Sequence, residues 1–346
     1  MPKILFYSYP WAFQKMGGGE IQLLKTKEFL ENKGVKVKMF DQWQDKLSAY
    51  DILHVFGSVK DCLGLIRAAK ESKVKVCVSS IFWTDLRRCL GEVGLHNKTN
   101  ALLHHALKAV CPSFPSARRE IFTLADLILP NSESEAKQIQ RYFSIEKDKF
   151  FVVPNGVEER FQMAAPDEFA GKYKLRDFIL YVGRIEPRKN QLSFIRAMKG
   201  FKKSPVVFVG DYTLEHKYYY DACLREKDDN MFFLGYIEHD TSLFSSMYAA
   251  SKIFSLTSWF ETPGLSALEA AACGKNIVIT PYGSTRDYFG DFAFYARPHK
   301  PKEIRRIVEQ AFERPCGDNL KQYVLNNFSW EKVAQTTLSA YEKILK

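Results

Sequence analysis

The chain has 346 residues, of which 46% are apolar and 26% charged, and carries a formal net charge of +10. It is long enough for two domains with separate cores, and its composition is that of a soluble globular protein rather than a disordered or fibrous one. No stretch approaches the roughly 18 to 20 uninterrupted apolar residues of a membrane span, and the cysteines at 62, 77, 89, 111, 223, 273 and 316 lack the paired C-x-x-C spacing of a zinc site or the even count of a disulfide framework.

The N-terminal MPKILFYSY reads as a first buried strand and not as a signal peptide, so a cytosolic location with reduced, mostly buried thiols is expected. Gly17, Gly18 and Gly19 follow it, then a helical stretch from Glu20 to Lys33 and the strand VKVKMF after Gly34. The runs ILHVF, VKVCVSS and LILPN continue the alternation of short apolar segments with polar or helical ones, which predicts parallel strands with crossover helices. Residues 1 to 155 carry 23 Lys and Arg against 16 Asp and Glu, a surplus of 7. That surplus serves either as a solvated basic surface or as an attraction for an anionic membrane face. No RNP aromatic set or helix-turn-helix pattern accompanies it, so no nucleic-acid partner is expected.

After a loop at Pro154, Asn155 and Gly156 the pattern restarts, with FILYVG from Phe178, a helix from Gln191 to Met198, then PVVFVG, MFFLGYI, KIFSLTS, NIVIT and FAFYA. Two doubly wound α/β domains in tandem are predicted, 1–155 and 156–328. In such sheets ligands bind at the carboxyl ends of strands, so the loops after FILYVG and KIFSLTS are expected to face one cleft. Trp330, Val333, Thr337 and Tyr341 form an apolar stripe on a last helix, which packs either on the second domain or back on the first.

The most informative segment is Phe260 to Gly274, FETPGLSALEAAACG. Glu261 precedes the Gly264 turn, and Glu269 lies one turn into the Ala-rich helix that Gly274 ends. A helix opening at Gly264, Leu265 and Ser266 offers backbone N–H groups to an anion. Because the neighbours of Glu269 are apolar, the helix should be buried and its acid should need a partner. Arg184 and Lys189, after Gly183 in YVGRIEPRKN, supply a planar fork and a point charge suited to phosphate. No Asp-x-Asp metal motif follows a strand, so the charge of a bound phosphate must be met by protein cations and helix ends.

These segments resemble the retaining family 4 glycosyltransferases. The resemblance rests on the E-x7-E pair Glu261 and Glu269, on the G-R-x4-K motif with Arg184 and Lys189, on VPNGVEERF as the inter-domain hinge, on the glycine loop Gly17–Gly19 with Glu20, and on FSWEKVAQTTLSAYEKIL as the closing helix. It implies the GT-B architecture: two Rossmann-like doubly wound domains facing a central cleft. An acceptor domain 1–155 is rejoined by the helix at about 329–346, and a donor domain spans 156–328. It implies transfer of a sugar from a nucleoside diphosphate, UDP being the most frequent, with retained configuration and with neither metal nor other cofactor. The acceptor would be a saccharide or a lipid-linked saccharide in glycan or polysaccharide synthesis.

By the same resemblance Arg184 and Lys189 hold the departing diphosphate and Glu261 the donor-sugar hydroxyls. Gly183, Pro263, Gly264, Leu265 and Ser266 line the donor, Glu269 takes the ribose hydroxyls, and the loop with Gly235, Tyr236 and Ile237 contacts the base. Gly18 and Gly19 either approach the donor or supply only a turn. One departure concerns a first-domain His that many relatives carry. Here SSIFWTDLRR places Phe82, Trp83, Thr84 and Asp85 at that point, and His104 and His105 come later in a helical stretch. Asn131, Ser132 and Glu135 resemble the family's serine segment, although a capping box accounts for the last two. A sugar-nucleotide epimerase of the same fold, or a catalytically silent nucleotide-binding scaffold, are the alternatives.

Overall fold

A computed structural model describes residues 2–14, 16–85, 99 and 116–346. The described chain falls into two compact units. One holds the residues up to Trp83, those from 116 to Gly156, and Phe328–Lys346; the other holds Val157–Asn327 with Thr84, Asp85 and Thr99.

The first unit is built on a five-stranded parallel sheet in the order β2-β1-β3-β4-β5, with β1 Lys3–Ser8, β2 Lys36–Met39, β3 Ile52–Phe56, β4 Lys75–Ser79 and β5 Leu127–Leu129. Strands β3, β4 and β5 are buried almost throughout, as in a parallel sheet covered on both faces, while β2 at one edge alternates exposed Lys36 and Lys38 with buried Val37. Leu5, Val55, Val78, Ile121, Phe122 and Ile139 belong to one core on this sheet. The strand order reverses between β1 and β3, which puts the loop containing Gly17 at the point where doubly wound sheets open a crevice.

The closing helix Trp330–Leu345 is part of this first unit and packs against the helix Gly18–Glu31. Ser329 caps it by accepting from the Lys332 N–H. Its stripe of Trp330, Val333, Thr337 and Tyr341 is buried. The Tyr341 hydroxyl lies 2.6 Å from His54 Nδ1, and His54 Nε2 lies 2.9 Å from Ser79 Oγ, so both ring nitrogens of this buried imidazole are satisfied. Burial pulls its pKa down to about 3, and the ring is neutral. The close approach of chain ends here needs Gly156: a Cβ on that residue would stand 2.8 Å from both Trp330 Cδ2 and the Trp330 backbone nitrogen.

Glu135 organises the carboxyl end of β4. The Ser132 hydroxyl accepts from the Glu135 N–H at 3.0 Å, as in a capping box, and the Glu135 carboxylate binds further donors. Its Oε2 takes the Asn131 N–H at 2.9 Å, one residue ahead of the cap, and its Oε1 takes the Ser80 hydroxyl at 2.5 Å and the Phe82 N–H at 2.6 Å. Those donors fix the turn through Ile81, whose φ of 43° is left-handed.

The second unit has a six-stranded parallel sheet in the order β11-β10-β9-β6-β7-β8, from β6 Phe178–Val182, β7 Val206–Val209, β8 Met231–Phe233, β9 Ser251–Leu256, β10 Asn276–Ile279 and β11 Phe294–Tyr295. Here the order reverses between β6 and β9, which pair directly. The two loops that leave these strands therefore meet at the switch point. Among the described residues no helix is long and apolar enough to cross a membrane.

Two consequences can be measured. Gly156→Ala should cost about 1 to 3 kcal/mol in denaturant unfolding, since backbone as well as side chain must shift. Burial raises the Glu135 carboxyl from 4.5 to about 7 against the opposing pull of its three donors. A raised carboxyl pKa makes the folded state hold its proton longer, so this group's contribution to stability falls as pH rises from about 4.5 to 7. Melting curves of Glu135→Gln across that window should lack this decline.

Candidate active site

The loop after β6 is shaped first by two glycines. Gly183 and Gly210 have φ of 154° and 141°, and a Cβ at Gly210 would come within 2.2 Å of the Gly183 carbonyl oxygen. The loop then runs through Ile185 and Glu186 to a short 3-10 turn, Pro187–Lys189, ended by Asn190 in the left-handed region at φ 62°. Asn tolerates that conformation. Its side-chain amide donates to the carbonyls of Thr257 and Pro298, both at 3.0 Å, while the Trp259 N–H donates to the Arg188 carbonyl at 3.0 Å. The loop after β6 is thus tied to the end of β9.

The loop after β9 is pinned as firmly. Glu261 N–H donates to the Tyr282 carbonyl at 3.2 Å, and the Ser284 N–H donates to the Glu261 carbonyl at 2.8 Å. This bridge needs Gly283, where φ is 97° and a Cβ would lie 2.0 Å from the Glu261 oxygen. The result is that two residues 72 apart in sequence meet: Lys189 Nζ donates to Glu261 Oε1 at 2.7 Å, with both side chains almost fully buried. Burial and the nearby Arg188 charge lower the Lys189 pKa, and the Glu261 carboxylate opposes them.

Arg188, which the motif reading passed over, belongs to the same cluster. Its Nε donates to Glu186 Oε1 at 2.9 Å, its Nη1 lies 3.8 Å from Glu261 Oε1, and its guanidinium stands 5.6 Å from the centre of the Phe260 ring. Burial would raise the Glu186 pKa, but the charges of Arg188, Lys189 and Arg184 outweigh it and hold the acid ionised. Arg184 is half-buried at the start of the loop, and its carbonyl accepts from Gln191 Nε2 at 2.9 Å.

Gly264, at φ 89°, turns the chain into the helix Leu265–Ala272, whose first N–H groups have no intrahelical acceptor by helix geometry. Pro263, Leu265 and Ser266 flank this opening, and the Ser266 hydroxyl reaches the Val182 carbonyl at 3.3 Å. Thus Gly183, Lys189, Glu261, Gly264 and Ser266 come together at the β6 and β9 ends. A cationic cluster beside a helix N-terminus and a buried carboxylate can seat a phosphate and the hydroxyls linked to it.

Glu269 is buried, yet it is not left awaiting a ligand. Its Oε2 accepts the Tyr248 hydroxyl at 2.6 Å and its Oε1 lies 2.8 Å from His239 Nε2. Neither partner shows in the sequence, because they stand 21 and 30 residues away with no local spacing to mark them. On its other side His239 Nδ1 meets Arg160 Nη2 at 3.2 Å and Asp240 Oδ1 at 3.1 Å. Glu158, His239 and Asp240 bring possible metal-ligand atoms within 4.8 Å of one another. The guanidinium of Arg160 already stands among them, 3.1 Å from Glu158 Oε1 and 3.6 Å from Asp240 Oδ1, and supplies the positive charge there.

Other residues are placed differently from the sequence reading. Gly18 and Gly19 are the first two residues of the helix Gly18–Glu31 rather than part of a loop, and only Gly17 precedes it as an extended N-cap. A Cβ on Gly19 would stand 3.4 Å from Ile81 Cδ1, an ordinary contact. Both glycines lie in the first unit. Past β8, Gly235 takes a φ of 73°, Tyr236 is exposed and Ile237 is turned inward and buried. Among the described residues the buried Trp83 indole N–H has no acceptor, Asp85 is half-buried, and His104 and His105 lie outside the described residues.

Residues 166–328 match the family model described as glycosyl transferases group 1. Among curated proteins, the chain is 26% identical over 233 residues to O-antigen chain mannosyltransferase B of Escherichia coli, covering 63% of this chain and 61% of that one. It is 31% identical over 232 residues to the N-acetylgalactosamine-N,N'-diacetylbacillosaminyl-diphospho-undecaprenol 4-alpha-N-acetylgalactosaminyltransferase of Campylobacter jejuni, covering 65% of this chain and 58% of that one. The match thus spans less than two thirds of these relatives. Among solved structures, Anabaena Alr3699/HepE in complex with UDP and glucose superposes with a TM-score of 0.75 at 17% identity over 99% of this chain and 100% of that one. Sucrose-phosphate synthase from Thermosynechococcus elongatus gives 0.76 at 17% identity over 100% and 99%. The chain has the GT-B fold, and its second unit carries the segment that matches glycosyl transferases group 1.

Proposed function

We propose that this protein is a retaining glycosyltransferase that moves a sugar from a nucleoside diphosphate, UDP being our choice, to a saccharide or lipid-linked saccharide. The observation that carries the reading is the buried Lys189–Glu261 pair, 2.7 Å apart, beside the N-terminus of the helix Leu265–Ala272. The group 1 match over the same segment supports it, as do relatives named as sugar transferases. A neighbour of the same fold is described with UDP and glucose, which supports the uridine choice.

In this reading Lys189 and Arg184 take up the charge that the diphosphate gains as the glycosidic bond breaks. No metal is required, because two cations and a helix N-terminus face that charge. Glu261 takes hydroxyls of the donor sugar. Its ion pair with Lys189 links the two tasks, since the lysine must turn from carboxylate to phosphate when the donor arrives. No side chain is assigned as a covalent nucleophile; the departing phosphate takes the acceptor's proton and the anomeric configuration is kept. The acceptor is proposed to lie on loops of the first unit, in glycan or polysaccharide synthesis, with the basic surplus of residues 1–155 drawing the protein to an anionic membrane face.

Thermal melts with UDP, GDP, ADP and CDP, each in excess EDTA, test the donor class. A nucleotide at one hundred times its Kd should add about 2.7 kcal/mol of stability; no shift with any of them would overturn the reading. For the chemistry, Lys189→Ala is expected to lower kcat/KM about a hundredfold or more while leaving the protein folded. Near-normal turnover in that variant would remove Lys189 from the mechanism, and an inverted anomer in the product, read by proton NMR, would exclude retention.

A further inference from the structure

The framework around Glu269 reaches beyond the two residues of the E-x7-E pair. His239 is half-buried between the helix Leu265–Ala272 and the turn at Arg160, with its ring 4.9 Å from that of Phe244 and 6.1 Å from that of Phe161. The groups that face it are Glu269 from its own helix, Arg160 and Glu158 from the segment before the helix Asp167–Tyr173, and Asp240 from the loop next to it. Tyr248 joins from the helix Ser242–Ala250 by way of Glu269. A carboxylate held by one donor alone can rotate about its last bond. Held by an imidazole on Oε1 and a phenol on Oε2, it keeps one orientation, and its remaining lone pairs point in fixed directions.

We propose that His239 is the positioning residue that aims Glu269 at the two ribose hydroxyls of the donor, and so decides that the site takes ribo- rather than 2'-deoxyribonucleotides. This rests on the donor-site reading above. Arg160 serves it in turn. By donating to His239 Nδ1 at 3.2 Å it selects the tautomer whose Nε2–H is free to donate to Glu269. A neutral His239 thus has its donor directed inward by an arginine that lies on a different segment of the chain. When His239 is protonated, Nδ1–H donates instead to Asp240, 3.1 Å away, and the bond to Glu269 is kept. Glu269 therefore stays aimed in both protonation states.

Calorimetric Kd values for UDP against 2'-deoxy-UDP, and for GDP against 2'-deoxy-GDP, test this on the whole protein. The unsubstituted protein should prefer the ribonucleotide about tenfold or more, the scale of one hydrogen bond to a charged group. His239→Phe, which keeps a ring but no donor, should reduce the preference to about that of Glu269→Ala, and His239→Gln, which restores an N–H at the same reach, should recover most of it. KM for the donor should follow the same order with kcat little changed, because the ribose contact is made equally before and during reaction. A full preference in a folded His239→Phe would overturn the proposal while leaving the donor site standing. Absence of binding by any nucleoside diphosphate to the unsubstituted protein would overturn both. Should His239→Phe not fold, ring-nitrogen NMR of the unsubstituted protein decides: a His239 Nε2–H signal displaced more by UDP than by 2'-deoxy-UDP supports the assignment, and one indifferent to UDP refutes it.

Discussion

A carboxylate taken out of water must be met by donors or cations, and three glutamates set the local structure of this protein by obeying that requirement. Glu135 gathers two backbone N–H groups and a hydroxyl at the end of β4. Glu261 takes Lys189, and Glu269 takes His239 and Tyr248. In each case a loop or helix that could have adopted several conformations is drawn into one, because the alternative leaves a buried charge bare. The first case serves a turn, and the other two stand in the segment that matches a family of sugar transferases.

The place of the cluster follows from topology before any side chain is considered. Strands β6 and β9 are neighbours whose following connections leave in opposite directions along the sheet, so their loops open onto common space. Glycines then allow backbones to touch where side chains would hold them apart. Gly210 lies against Gly183, and Gly283 lies against Glu261. A side chain at either glycine would push the loops apart, and with them the groups that binding and chemistry require in place.

The strands could be read from the sequence because a parallel strand covered on both faces is a nearly continuous apolar run, as in FILYVG and, with His54 its one polar residue, ILHVF. The meeting of Lys189 with the Phe260–Gly274 segment was legible as two motifs at the ends of strands, though not as a direct ion pair, since side-chain partners depend on loop dihedrals such as the left-handed Asn190. His239 was invisible for a different reason: its role arises from packing among Arg160, Asp240 and Glu269, which share no helical or strand period. Gly18 and Gly19 read as part of a glycine loop, while the structure starts a helix on them. Glycine's disadvantage in a helix is only about 1 kcal/mol, and here the helix Gly18–Glu31 begins on two glycines. The last helix showed its apolar stripe plainly, but not its partners, the helix Gly18–Glu31 and His54, which is hydrogen-bonded to Tyr341 across 287 residues.

That same bond has a consequence for how the molecule is made. A chain leaves the ribosome from its N-terminus at about 5 to 20 residues per second, so His54 emerges tens of seconds before Tyr341. For that interval β3 and β4 can assemble while the slot for the last helix stays open, its apolar walls exposed to other nascent chains. The second unit, whose strands all come from one uninterrupted stretch, is able to finish first. Order of synthesis and order of completion are therefore reversed, and the unit begun earliest is the last to close.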